Sequence, residues 1–321
     1  MDETQKKIPL RAAEERKARS MLADLFTRLV REKPLGTAGA AIILILVLVS
    51  IFANIASPYG VNESILGDRM QGPSVEHFLG TDNLGRDMLS RIIFGARISL
   101  YVGLGAAALA TLIAMIIGLV SGFLGGKVDM VTQRFVDAWM AFPAMLIYLS
   151  IMAILGPGLG QVIVVLGVVA GIRYSRIVRS AVISIKENVY IEAAKAIGVP
   201  TIGIVSKHVL PNMMAPIIVI FTVLMGYMII TEAILSFLGF GVPPPQPSWG
   251  GMLSGSGRRY MLQNPGMALW PGLTLAIVVY GINMLGDAMR DLLDPRLRGG
   301  LGRYSGGKKK MSKQLRKTER D

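Results

Sequence analysis

Cysteine is absent from all 321 residues, and histidine occurs only at His77 and His208. The first absence excludes a disulfide scaffold, thiol catalysis and thiolate metal sites. Two histidines far apart in the chain offer no metal centre either, so no metal is expected. Charge is scarce too: Asp, Glu, Lys and Arg make up 17% of the residues, against roughly 25% in a soluble domain. That deficit argues against an ordinary cytosolic enzyme. Apolar residues at 52% equally exclude a disordered tail protein. A phosphate-cradling G-x-x-x-x-G-K-[ST] loop is missing as well. Gly125-Gly126-Lys127 runs into Val128, and Gly306-Gly307-Lys308 runs into Lys309.

What is present is a series of charge-free windows. A bilayer core of about 30 Å needs ~20 apolar residues in a helix, because lipid cannot satisfy a bare backbone polar group. Leu35–Ala56, Ile98–Val120, Asn212–Thr231 and Gly266–Gly286 each meet that length. The stretch 138–172 is too long for one helix and is broken by Gly156-Pro157-Gly158-Leu159-Gly160, so it predicts spans near 134–155 and 160–178. The expected fold is an all-α, polytopic membrane protein with six transmembrane helices.

Six spans put both termini on one side, and the basic residues say which. Segments 1–34, 121–137, 173–211 and 287–321 hold 28 of the 34 Lys and Arg. Segments 57–97, 156–160 and 232–265 hold the other six. Both termini are therefore expected in the cytoplasm of a cell (inner) membrane protein, and the net charge of +13 is a topological address rather than a nucleic-acid surface.

The chain divides into a cytoplasmic segment 1–34, a first span 35–56, an external loop 57–97, a core 98–290 carrying a cytoplasmic loop 179–211, and a basic tail 291–321. The first span follows 34 polar residues and lacks a small residue at −3 before Ala56, so it does not read as a cleaved signal peptide. Ahead of it, Leu22, Leu25, Phe26, Leu29 and Val30 recur at helical spacing. They predict an amphipathic helix, either lying on the inner surface or docked on a protein. The basic run Lys308-Lys309-Lys310 either touches anionic lipid or is simply solvated.

The apolar windows contain no Asp, Glu, Lys or His. An autonomous ion-coupled carrier buries such groups to bind its coupling ion, so this chain reads as a pathway driven by something else. Asp137, Glu232 and Asp287 lie only at span ends; Asp137 and Glu232 either line the pathway or pair structurally. Arg173, Arg176 and Arg179 have the spacing of a voltage-sensing helix, but only three are present and charged residues follow, so they are assigned to the cytoplasmic end of span four. Ala106, Ala110, Ala114, Gly118, Gly122 and Gly126 recur at steps of four, a stripe that admits close packing either within the chain or against another subunit.

The 173–211 loop carries the most local information. Asn188 can cap a helix over 189–197, Gly198 suits a left-handed C′ position, and Pro200 stops the helix. Tyr190, Ala193, Ala194 and Ile197 are expected on one face, and Thr201 to cap a second short helix ending before Pro211. The result is a compact helical knob, either a packed loop or a handle for a motor protein.

Glu192-Ala193-Ala194, then Gly198, nine residues, and His208-Val209-Leu210-Pro211 resemble the EAA signature E-A-A-x3-G-x9-I-x-L-P of permeases in binding-protein-dependent ABC importers. His208 departs at the Ile position, as in the peptide-transport branch. A second block, His77–Asp87 with Gly80, Thr81, Asp82, Gly85, Arg86 and Asp87, resembles the external loop of the dipeptide/oligopeptide/nickel C-type permeases. A third, Glu232–Gly239 followed by Pro243–Pro247 and Ser248-Trp249-Gly250, is similar to the same branch.

The resemblance covers about residues 20–298 and implies a type-1 ABC permease fold in a chain that is not itself an enzyme. It implies a heterodimer with a homologous B-type permease, two ABC ATPase subunits and an extracellular solute-binding protein. Glu192, Ala193, Ala194, Gly198, Leu210 and Pro211 would be the coupling positions. No cofactor is expected on this chain; ATP and Mg would be bound by the ATPases. Dipeptides or oligopeptides are the implied solutes, with nickel chelates or oligosaccharides as the alternative. Segments 57–97 and 233–265 would face the binding protein, the second braced by an extended Pro243–Pro247 run.

Overall fold

The computed structural model describes residues 21–64 and 66–293. The first 20 residues and the tail from 294, with its Lys308–Lys310 run, lie outside the described residues. A short amphipathic helix α1 (Met21–Glu32) leads into α2 (Pro34–Ile51), where Pro34 occupies the first turn and its missing N–H leaves no bond unmade. The long helix α3 (Met88–Leu124) follows the 57–87 loop. Then come α4 (Gly126–Ala141), α5 (Ala144–Leu155) and α6 (Leu159–Lys186). A small helix α7 (Val189–Ala196) precedes α8 (Thr201–Phe237), and the chain re-enters through α9 (Trp249–Met252) before α10 (Gly266–Leu293). Among the described residues, helices α2, α3, α6, α8 and α10 are long and apolar enough to cross a membrane.

The sixth candidate span is not the single helix expected near 134–155. Helices α4 and α5 meet at 84° across Phe142-Pro143, so this stretch is two helices at a steep angle. Phe142 takes extended geometry (φ −88, ψ 138) because the following proline ring disfavours the helical region for its predecessor. The expected spans near 160–178 and 212–231 are also longer than read, as α6 and α8 each run well past the apolar window.

Small residues bring the helices together. A Cβ on Gly118 would stand 2.7 Å from the Ser175 carbonyl oxygen and one on Gly171 2.9 Å from that of Ala110, so α3 and α6 pack backbone to backbone. The stripe on α3 is therefore used inside the chain; Ala106, Ala110 and Ala114 are fully buried, and only Gly126, beyond the helix end, meets nothing. A Cβ on Gly39 would likewise stand 2.3 Å from the Gly281 carbonyl, which fixes α2 against α10. From α1, Leu29 is buried against Ala288 and Leu292, while Phe26 and Val30 stay exposed. The amphipathic helix thus docks one edge on its own chain.

Proline 211 does not end a helix, contrary to the sequence expectation. Residues 205–209 form a wide π turn in α8, with the Leu210 N–H donating to the Val205 carbonyl. Asn212 Nδ2 donates to the His208 carbonyl at 2.7 Å, a side-chain bond back onto the wide turn. Thr201 is the first residue of α8 rather than its cap; Pro200 holds that position.

Candidate functional site

At one end of the bundle, α7 stands out between α6 and α8. Gly198 follows it at φ +79, the left-handed region that costs a side chain about 1 kcal/mol. There the Gly198 N–H donates to the Lys195 carbonyl at 3.0 Å and the Val199 N–H to the Ala194 carbonyl at 3.0 Å, closing the helix with its last carbonyls satisfied. Asn188 sits at the N-cap, yet its amide donates backwards to Ser184 and Ile185 (3.0 and 2.9 Å), terminating α6 instead of capping α7.

The buried face of α7 differs from the one expected. Ile191 and Ala194 turn inward, with Ile204 and Val209 buried in the same core. Tyr190, Ala193 and Ile197 are exposed, as is Glu192, which has no ion-pair partner within 4 Å among the described residues. Val189, Ile197 and Ile202 are each 79–80% exposed. Leu210 is half-buried and Pro211 exposed at the foot of α8. The knob thus presents a ring of uncovered aliphatic side chains around one free carboxylate. A cavity of about 350 Å³ beside it is lined by Gly122, Asp129, Lys186, Glu187, Glu192 and Lys195, among others.

The opposite end is built from the 57–87 loop and residues 238–265. Gly80 (φ +77) and Gly85 (φ +75) make the turns, and Thr81 bridges to Asp87 as a one-pair antiparallel contact. Asp82 is buried and accepts from the Leu84 and Arg86 N–H groups at 2.8 and 3.0 Å and from Arg86 Nε at 2.7 Å. Asp87 caps α3, accepting from the Ser90 N–H and hydroxyl, both at 2.7 Å, while its other oxygen meets His77 Nδ1 at 3.0 Å. Thr81, Asp82 and Asp87 therefore point into the loop's own framework, and Arg86 closes over Asp82.

Asp137 lies on the exposed side of α4, ion-paired with Arg176 and 3.9 Å from Arg134. Arg179 makes a bidentate pair with Asp129 at 2.5 Å. Two of the three regularly spaced arginines are thus held by acids of α4, and all three lie in the second half of α6, which runs on to Lys186. Glu232 is wholly buried in α8 and accepts from the Ser236 hydroxyl at 2.6 Å. The Pro243–Pro247 run is not extended throughout: residues 244 and 245 form a turn. Beyond it, Trp249 is buried and donates from Nε1 to the Ile92 carbonyl at 3.1 Å, seated against Gly95. That bracket is not readable from hydropathy, since it joins residues 157 positions apart.

A bundle of apolar spans with an exposed helical knob at one end is the build of a membrane transport subunit. Residues 114–299 match the family described as binding-protein-dependent transport system inner membrane component, and the chain belongs to that family. It is 42% identical over 275 residues to the dipeptide transport system permease protein DppC of Alkalihalophilus pseudofirmus, covering 86% of this chain and 90% of the relative. It is 38% identical to the oligopeptide permease OppC of Bacillus subtilis, covering 88% and 92% of the two chains. Identity to the glutathione permease GsiD of Pectobacterium atrosepticum is 35%, over 88% and 94%. The fold is also that of a chain of the MetNI methionine ABC transporter, solved in inward-facing conformations. That likeness has a TM-score of 0.54 at 20% identity and covers 64% of this chain and 98% of the other.

The protein is a multi-pass membrane permease subunit of an ABC importer and not an enzyme. Family membership implies ATPase and binding-protein partners.

Proposed function

We propose that the chain is one half of a heterodimeric peptide permease, paired with a homologous B-type subunit and driven by two ABC ATPases that bind the ATP and Mg. The solutes are dipeptides or oligopeptides, the chemistry shared by the names of its relatives. The observation that carries the coupling role is the knob of α7 and the start of α8: a rigidly closed helical turn whose Val189, Ile197 and Ile202 have no cover and whose Glu192 has no ion-pair partner among the described residues. Exposed aliphatic side chains at this density mark a docking surface. An ATPase cleft closing over α7 moves α6 and α8 as rigid bodies, the route by which a packed bundle switches between two arrangements.

In this reading both termini and α7 are cytoplasmic, and the 57–87 and 238–265 segments meet the solute-binding protein outside. Glu192, Ala193, Ala194 and Gly198 form the contact, while Leu210 and Pro211 anchor its foot. The chain itself holds no cofactor. Reconstitution of the four membrane-associated subunits with loaded binding protein tests the proposal. ATP-dependent peptide uptake is expected, and uptake by this chain alone would sink it.

A further inference from the structure

Of the six Lys and Arg in segments 57–97 and 232–265, four gather at one place. Arg86, Arg91 and Arg259 line a cavity of about 600 Å³ between the 57–87 loop, the start of α3 and residues 236–260. Arg258 joins Arg259 at a smaller adjoining hollow. Among the described residues, no Asp or Glu lines the larger cavity.

The carboxylate behind its wall, Asp82, is already taken. Its Oδ1 accepts from the Leu84 and Arg86 N–H groups, and its Oδ2 from Arg86 Nε at 2.7 Å and Nη2 at 2.6 Å. Arg91 Nε stands 3.6 Å from that same Oδ2, beyond hydrogen-bond length. Glu232, also buried, accepts from Ser236 on the cavity wall. Arg91 is only 8% exposed, and its buried Nη1 has no hydrogen-bond partner. Arg259 is exposed and enters no ion pair among the described residues.

A guanidinium withdrawn from water and short of acceptors is costly, so its persistence on a cavity wall points to an acceptor that arrives from outside. Its planar fork fits a carboxylate through two parallel hydrogen bonds. Cationic walls focus the field at the mouth and concentrate anions there. The volume is that of a small-ligand pocket, larger than one protein side chain needs.

We propose that Arg91, with Arg259 at the rim, receives the C-terminal carboxylate of a peptide as it leaves the binding protein, the rest of the peptide lying in the cavity. Every linear peptide carries that group whatever its sequence. The proposal rests on the peptide-importer reading above, which sets this end of the bundle outside.

The test uses the complex of this chain, its sister permease and both ATPases in lipid nanodiscs without binding protein, so that any contact belongs to the membrane subunits. Saturation-transfer NMR compares trialanine as free acid and as C-terminal amide. In wild type the acid is expected to give about fivefold more transfer, and Arg91→Gln should bring it down to the amide level. Equal signals in wild type, or a preference that survives Arg91→Gln, overturns the proposal. Should Arg91→Gln fail to assemble, Arg259→Gln is read instead: about a twofold narrowing is expected, and an unchanged ratio overturns the proposal.

Loaded binding protein is then titrated against ATP hydrolysis. A higher half-saturating concentration in Arg259→Gln, with the acid preference intact, would give the cluster to acidic side chains of the binding protein and overturn the proposal. Absence of ATP-driven trialanine uptake by wild type with loaded binding protein would refute the importer reading itself. Loss of the acid preference alone refutes only this site.

Discussion

At Gly198, conformation alone decides the residue. Its Cβ position is empty of neighbours, so a side chain would fit sterically, but φ +79 opposes one. Gly198→Leu should tilt α7 and abolish peptide-stimulated ATP hydrolysis while the complex still reaches the membrane. Glu192→Arg should do the same by reversing the exposed carboxylate on the knob. Wild-type stimulation in either, measured on purified complex, would remove α7 from the coupling route. Asp87 has a different role: it caps α3 and holds buried His77. Asp87→Ala should destabilise by about 1–2 kcal/mol for the cap, and more for the stranded imidazole. A thermal unfolding midpoint that does not move would contradict this.

Among elements, the α3–α6 contact is the most demanding. Gly118→Leu drives a side chain into the Ser175 carbonyl and Val178, both 2.7 Å from the new Cβ, and neither can retreat without parting the helices. Folded yield from membranes should fall severely, by the overpacking of a tight core. Deleting Pro243–Pro247 removes the turn that leads into the Trp249 bracket, and peptide uptake should drop; unchanged uptake would make the run a dispensable linker.

Elements also show what was legible in sequence. Charge-free windows locate every span because lipid imposes that constraint locally. They do not report direction, so the 84° bend at Phe142-Pro143 escapes them. Proline is a poor stop signal here: Pro211, Pro216 and Pro271 all lie inside helices, the first just after a π turn. The helical knob was legible because Gly198 and Pro200 act on their own backbone. The inward face of α7 was not, since it depends on how the helix folds back on residues such as Ile204 and Val209.

For the whole molecule, the absence of cysteine makes orientation directly measurable. Val75, 90% exposed on the 57–87 loop, and Ile202, 80% exposed at the knob, mark opposite ends. Val75→Cys should react with a membrane-impermeant thiol reagent on intact cells, and Ile202→Cys only after permeabilisation. The reverse pattern would invert the assignment of both termini.

The π turn at 205–209 gives this architecture a phase. A wide turn holds one more residue than a regular one, and each residue advances a helix by about 100°. The knob and the span that follows it are therefore geared to one another through a single residue. Removing one residue from that turn would leave both parts intact yet point the handle to another compass bearing, like a key cut correctly and inserted a quarter-turn off.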